Sequence, residues 1–135
     1  MVITNIDTDH LDYYRGIADI QSAFAELAGK FPKEGAIVTD FSDPNIGPVT
    51  KAAQAVMLDY NSAGIGGLML KSPGEHNRKN ARAAITTAGF LSVPRETAIK
   101  ALNEFEGIWR RFEYKGETAN GAIVYDDYAH NPPKI

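Results

Sequence analysis

The chain has 135 residues, 44 % of them hydrophobic and 23 % charged, a balance that fits one soluble globular domain and excludes a disordered tail, a collagen-like repeat and a coiled coil. Lys and Arg number 14 against 17 Asp and Glu, for a net charge of −3, which argues against nucleic acid as a partner because such binding draws its affinity from counterion release by basic surfaces. Cysteine is absent, which removes disulfides, thiolate zinc sites and a cysteine nucleophile; no apolar run approaches the ~20 residues of a membrane-spanning helix, so the expectation is a cytoplasmic protein with no membrane partner.

In chain order, Val2 to Ile6 is short, apolar and β-branched and reads as a buried strand opening into the polar run Asp7-Thr8-Asp9-His10-Leu11-Asp12. Ile17, Ile20, Phe24, Leu27 and Phe31 recur at spacings of three and four and predict a helix from Gly16 to Lys30, stopped by Pro32. Gly35 to Thr39 gives a second strand, so the first third has the strand–helix–strand form of a βαβ unit. The turn dipeptides Asp43-Pro44 and Gly47-Pro48 mark a loop from Asp40 to Val49, and Ala55 to Tyr60 and Leu68 to Lys71 predict further strands around a glycine-rich stretch. A helix is expected from His76 to Leu91, burying Ala81, Ala84, Ile85, Ala88 and Leu91, and another from Pro94 that presents Ile99, Leu102 and Phe105. Past Gly107, Arg111 to Lys115 and Ala122 to Asp126 read as a hairpin joined through Asn120-Gly121. A hairpin does not stand alone, and a core strand begins almost at the first residue. The expectation is a piece of a larger α/β protein with a domain boundary near Gly107.

Three polar clusters could carry chemistry. Asp7, Asp9, His10 and Asp12 follow a strand, where open α/β sheets place ligands; carboxylates with an imidazole suit a divalent cation, while the plain alternative is that Asp12 caps the next helix. Asn77 and Asn80 lie three apart at the start of the second long helix and share a face. A carboxamide both donates and accepts and can read an adenine edge beside a helix N-terminus; N-capping explains one asparagine of the two. Arg110 and Arg111 face Asp126, Asp127 and His130 across the hairpin, offering a cation for phosphate and a carboxylate for ribose hydroxyls, with a surface ion pair as the plain alternative. No Gly-x-x-x-x-Gly-Lys-[Ser/Thr] phosphate loop occurs in the sequence.

Taken in order, Thr4-Asn5-Ile6 with Asp9-His10-Leu11-Asp12, Gly74 with His76-Asn77 and Asn80-Ala81, Arg110-Arg111-Phe112-Glu113, and Asp126-Asp127-Tyr128-Ala129-His130 resemble the muramyl (Mur) ligase family, the ATP-dependent amide-forming enzymes of peptidoglycan synthesis. The resemblance implies an α/β fold in which residues 1–106 form the second half of a three-layer central ATPase domain, mostly parallel sheet with helices. Residues 107–135 would then be the first β-hairpin of a Rossmann-like C-terminal domain. Tyr13-Tyr14 and Val124-Tyr125 narrow the implied activity to joining L-alanine to UDP-N-acetylmuramate through an acyl phosphate, with ATP and Mg2+. The same resemblance assigns His10 to the magnesium ion, Asn77 and Asn80 to adenine, Arg111 to the nucleotide phosphates, Asp127 to the ribose and His130 to the same nucleotide motif, with His10 and Arg111 in the catalytic set. Asn131-Pro132-Pro133 departs from the His-Pro-Thr usual in alanine-adding members. A Mur-like ligase that recycles murein peptides is therefore one alternative, and a stand-alone, non-catalytic nucleotide-binding module another. Without the phosphate loop, this piece by itself is expected to be inactive.

Overall fold

The computed structural model describes residues 1–129. Helix α1 spans Ile17–Gly29, strand β1 Ala36–Thr39, helix α2 Gly47–Ala52 and strand β2 Val56–Asp59, followed by a 3-10 turn at Tyr60–Ser62. Helices α3 (Glu75–Phe90) and α4 (Arg95–Glu104) come next, then the strands β3 (Glu113–Glu117) and β4 (Ile123–Asp126).

Strands β1 and β2 run parallel, with Ala36 opposite Val56 and Thr39 opposite Asp59. On the other edge of β1 the first residues add a short rung: the Met1 ammonium donates to the Ala36 carbonyl, Val38 N–H to the Met1 carbonyl, and Ile3 N–H to the Val38 carbonyl at 2.8 Å. The expected strand over Val2 to Ile6 is thus reduced to a single bridge between Val2 and Val38. Beyond Ile3 the backbone turns to side-chain partners: Tyr60 Oη donates to the Thr4 carbonyl at 2.7 Å, and Ile6 N–H donates to Asp43 Oδ2 at 2.9 Å.

Every residue of β1 is buried, as expected of a central parallel strand covered on both faces. Ile37 packs with Ile3, Ile6, Ile20, Ala28, Ile46, Val49 and Ala55, which bring α1 and α2 onto one face. Val38 points the other way, onto Tyr60 and Ala83 of α3. The result is an α/β arrangement with helices on both sides of a small parallel sheet. Helix α2 replaces part of the expected loop. Pro48 lies in its first turn, where a missing N–H costs nothing, and Val49 is fully buried against the α1 side.

The strand expected over Leu68 to Lys71 does not form. One of its N–H groups, and carbonyls of the glycines before it, are taken by side chains of α4: Asn103 Oδ1 accepts from Met69 N–H at 2.6 Å and Asn103 Nδ2 donates to the Gly67 carbonyl, while Arg95 donates to the carbonyls of Gly64 and Gly66. Helix α3 buries Ala81, Ala83 and Ile85; Ala84 and Leu91 are exposed, contrary to the expected face. Along α4, Ile99 is buried, whereas Phe105 lies past the helix end and is half exposed. Strands β3 and β4 form the expected antiparallel hairpin, displaced two residues at its start and carrying a bulge between Tyr114 and Gly116.

Candidate functional site

Parallel strands point their carboxyl ends to one edge, and the loops that leave this edge hold the first cluster. His10 sits in a left-handed backbone conformation at φ 52°; its carbonyl accepts from the N–H groups of Tyr13 and Tyr14 and its own N–H donates to Asp9 Oδ1. The turn leaves the imidazole exposed. Asp12 does not cap the following helix: the N-cap of α1 is Gly16, with no side-chain cap, and the acid of the first turn is Asp19, paired with Arg15 at 2.7 Å. Among the described residues, no group of three or more His, Asp or Glu side chains converges to hold a metal. The donor set is therefore no all-protein cage. It fits Mg2+ only as that ion is commonly held, by one or two protein groups with phosphate oxygens and water completing the octahedron.

The root of this loop is tied down from a distance. Asp43 accepts from Ile6 N–H through Oδ2 and from Asn45 N–H through Oδ1, and Asn45 Nδ2 donates back to the Ile6 carbonyl at 2.8 Å. Both peptide groups of Ile6 are thus held by the Asp43-Pro44-Asn45 turn.

Asp40, within the stretch expected to be a loop, directly follows β1 and is 4 % exposed. Its Oδ1 accepts from Ser42 N–H at 2.8 Å, from Ser42 Oγ at 2.5 Å and from Asn61 Nδ2, while Oδ2 faces Lys79 Nζ at 3.3 Å. Burial works against ionisation, but the Ser42, Lys79 and Asn61 donors outweigh it and hold the carboxyl below the ordinary aspartate range. The neighbouring Tyr60 is fully buried, and its hydroxyl is pushed up to about 12, first by burial and then by the charges of Asp40, Asp43 and Asp59. The signal that could have found Asp40 is an aspartate directly after a β-branched strand, Ile37-Val38-Thr39.

At the start of α3 the N-cap is Gly74, again without a side-chain cap. Asn77 does not cap; its Nδ2 donates to the Pro73 carbonyl at 2.8 Å, leaving its Oδ1 as an acceptor. Asn80 is exposed. A groove of about 340 Å³ lies at this end of the helix, lined by Leu68, Met69, Leu70, Pro73, Gly74 and Arg78 among others, with neither asparagine in its lining.

The hairpin separates its two arginines. Arg110 is engaged: its guanidinium lies 4.8 Å from the Tyr128 ring centroid and 5.5 Å from that of Trp109, and Nε is 3.6 Å from Asp126. Arg111 is exposed and its guanidinium makes no ion pair among the described residues. Asp127 closes the base of the hairpin, accepting from Phe112 N–H at 3.1 Å and from Ala129 N–H at 2.8 Å, with its carboxylate exposed. His130 lies outside the described residues.

Residues 1–65 match the model of the Mur ligase middle domain. A UDP-N-acetylmuramate–L-alanine ligase of Clostridium acetobutylicum is 36 % identical over 99 % of this chain. The chain belongs to the Mur ligase family. Another ligase of the same name, from a Geobacter species, is 35 % identical over 99 % of the chain. The chain spans about a third of the length of these curated relatives, 35 % and 34 % respectively. Among solved structures, the UDP-N-acetylmuramate-alanine ligase of Thermotoga maritima superposes with a TM-score of 0.72 at 26 % identity, covering 98 % of this chain and 35 % of that one. MurF of Acinetobacter baumannii shares the fold, with a TM-score of 0.79 at 24 % identity over 98 % of this chain and 34 % of its own. The alignment with the clostridial Mur ligase runs over 160 positions, more than the 135 residues of this chain, so the relative carries residues that this chain skips. The family model stops at residue 65, where the clamped loop of residues 64–70 begins.

Proposed function

We propose that this chain is the nucleotide-facing part of an ATP-dependent ligase that joins L-alanine to UDP-N-acetylmuramate in the cytoplasm. The observation that carries the reading is the 36 % identity, over 99 % of the chain, to a relative of that name. In the reaction so implied, the lactyl carboxylate of UDP-N-acetylmuramate attacks the γ-phosphorus of ATP and ADP leaves. The amine of L-alanine then adds to the acyl carbonyl, and the tetrahedral intermediate expels phosphate to give the amide. Mg2+ supplies charge neutralisation when bound.

The chain's own groups are read as follows. His10 offers one imidazole donor to the ion. The free Oδ1 of Asn77 and the carboxamide of Asn80 face the adenine edge, and the Asp127 carboxylate keeps acceptor capacity for ribose hydroxyls. Arg111 meets the phosphates, a role that suits it better than Arg110 because Arg110 is already held by Asp126 and two aromatic rings. His130 belongs to the same motif. The division into a central domain over 1–106 and the start of a C-terminal domain over 107–135 is part of this proposal. It is supported by Gly107, at φ 98°, marking the break between α4 and the hairpin.

Formation of ADP that requires both UDP-N-acetylmuramate and L-alanine is the test, run on the 135-residue chain and on the reading frame extended into its flanking DNA. Because the chain's sequence holds no phosphate loop, activity is expected of the extended product alone. Preference for a murein tripeptide over L-alanine would instead favour the recycling ligase. Nucleotide binding without ADP formation from either acceptor would favour the binding module.

A further inference from the structure

We propose that Asp40 and Lys79 form a positioning pair that fixes the first two turns of α3, and with them Asn77 and Asn80, onto the carboxyl edge of the sheet. The functional part of this inference rests on the reading that these asparagines face adenine.

The first turns of α3 are weakly anchored without the pair. Gly74 gives no side-chain cap, the residues from 75 to 80 are exposed apart from the half-buried Asn77, and the buried face begins only at Ala81. Asn77 bonds locally to the Pro73 carbonyl, and Arg78 faces Glu75 in a local ion pair at 3.7 Å. Among the described residues, Lys79 Nζ to Asp40 Oδ2 at 3.3 Å is the polar link from this stretch to the sheet. The next link, Arg82 to the carbonyls of Asn61 and Ala63, comes a turn later.

Asp40 is suited to be the fixed end. It is 4 % exposed and held by two bonds from Ser42 and one from Asn61, so its oxygens cannot follow a moving helix. Lys79 lies between the two asparagines in sequence, and at 100° per residue its side chain leaves the helix on a different side from Asn80. The lysine can therefore face the sheet while Asn80 faces outward. Neither Asp40 nor Lys79 needs to touch the nucleotide; both would act by setting where two carboxamides stand, and a displacement of a fraction of an ångström is enough to degrade a paired hydrogen-bond readout.

The test uses the 135-residue chain with Lys79→Met, which removes the ammonium and keeps the stem, Lys79→Arg, which restores a cation, and Asp40→Asn. Lys79 is half exposed, so its variants should fold even if Asp40→Asn does not. Amide hydrogen exchange should quicken over residues 75–80 in Lys79→Met and stay unchanged over 85–90. Calorimetric titration with MgATP and MgGTP should show ATP affinity and the ATP-over-GTP preference both falling about three- to tenfold, with Lys79→Arg close to the parent. Loss of stability alone would lower the folded fraction without moving the preference. Unchanged exchange over 75–80 overturns the pair as a tether. Normal ATP binding and preference in Lys79→Met, beside a parent that binds ATP, overturns its role in recognition and leaves the nucleotide reading standing. A parent chain that binds neither nucleotide overturns the nucleotide reading and the recognition role together, while the exchange result still decides the tether.

Discussion

Replacing Tyr60 by phenylalanine isolates the polar knot at the carboxyl edge of the sheet. The ring is fully buried beside Val38 and Ala83, and its hydroxyl donates to the Thr4 carbonyl at 2.7 Å. Phenylalanine keeps the ring and deletes that bond, which costs about 1 kcal/mol at neutral pH. The alkaline limb is more telling. Folding raises the phenol from its ordinary 10 to about 12, so the unfolded chain releases this proton first and stability falls as pH climbs. The contribution is fully present below pH 10 and is lost by about pH 12; a two-unit shift at ~1.36 kcal/mol per unit makes the loss roughly 2 to 3 kcal/mol. Tyr60→Phe has no such proton. The parent should therefore be the more stable protein at pH 8 and the less stable at pH 12, with the two curves crossing near pH 11. Urea unfolding followed by far-ultraviolet circular dichroism at half-unit steps from pH 8 to 12 measures both limbs. The other five tyrosines are common to both proteins and cancel in the difference. Parallel curves above pH 10 would refute the reasoning: the phenol would then ionise as freely in the folded chain as in the unfolded one, held neither by its burial nor by the charges of Asp40, Asp43 and Asp59.

Two further substitutions probe the frame. The Thr39 hydroxyl is buried and has no hydrogen-bond partner among the described residues, so Thr39→Val, which keeps the β-branched shape of a central strand, should raise unfolding free energy by about 1 kcal/mol; a loss of stability would mean that the hydroxyl is satisfied in solution. Gly74 stands at φ 108° and ψ 144°, and a Cβ there would come within 2.6 Å of the His76 ring. Gly74→Ala should cost about 1 to 3 kcal/mol in thermal unfolding, whereas Gly89→Ala, with nothing within 4 Å of the added carbon, should be neutral or slightly stabilising.

What could be read from the sequence is what local pattern determines. The spacing of Ile17, Ile20 and Phe24 was enough for α1 to within a residue at each end, and the short apolar runs Ala36-Ile37-Val38 and Val56-Met57-Leu58 located β1 and β2. Asn120-Gly121 was enough for the hairpin, although the bulge after Tyr114 moved its first strand by two residues. The misreadings have tertiary causes. Gly47-Pro48 suits either a turn or the first turn of a helix, and burial of Val49 against α1 decides for the helix. Leu68-Met69-Leu70 is apolar enough for a strand, but a strand needs a partner edge, and here Asn103 supplies the partner for Met69 from 34 residues downstream. The site divides the same way. The motif residues are visible as types in order, and the resemblance already names Arg111; what only the folded hairpin adds is that the Arg110 guanidinium is set against the rings of Trp109 and Tyr128.

Strands β1 and β2 are four residues long each, too short for ladder hydrogen bonds to hold the loops beyond them. Their carboxyl edge is held by side chains instead. Tyr60 reaches Thr4 across 56 positions, Asn45 reaches Ile6 across 39, and Lys79 reaches Asp40 across 39. Each bond joins the root of one candidate ligand segment to a different part of the chain: the first two hold the strand end that leads to His10, and the third holds the helix start that carries Asn77 and Asn80. The relative position of those segments is therefore a property of Asp40, Asp43, Asn45 and Tyr60 more than of the ladder between β1 and β2. A substitution in this group should disturb the placement of His10 or of the two asparagines while leaving the apolar core of Ile20, Ile37 and Val49 intact. Substitutions in that core should act in the opposite order, lowering stability before they change where the ligand segments stand.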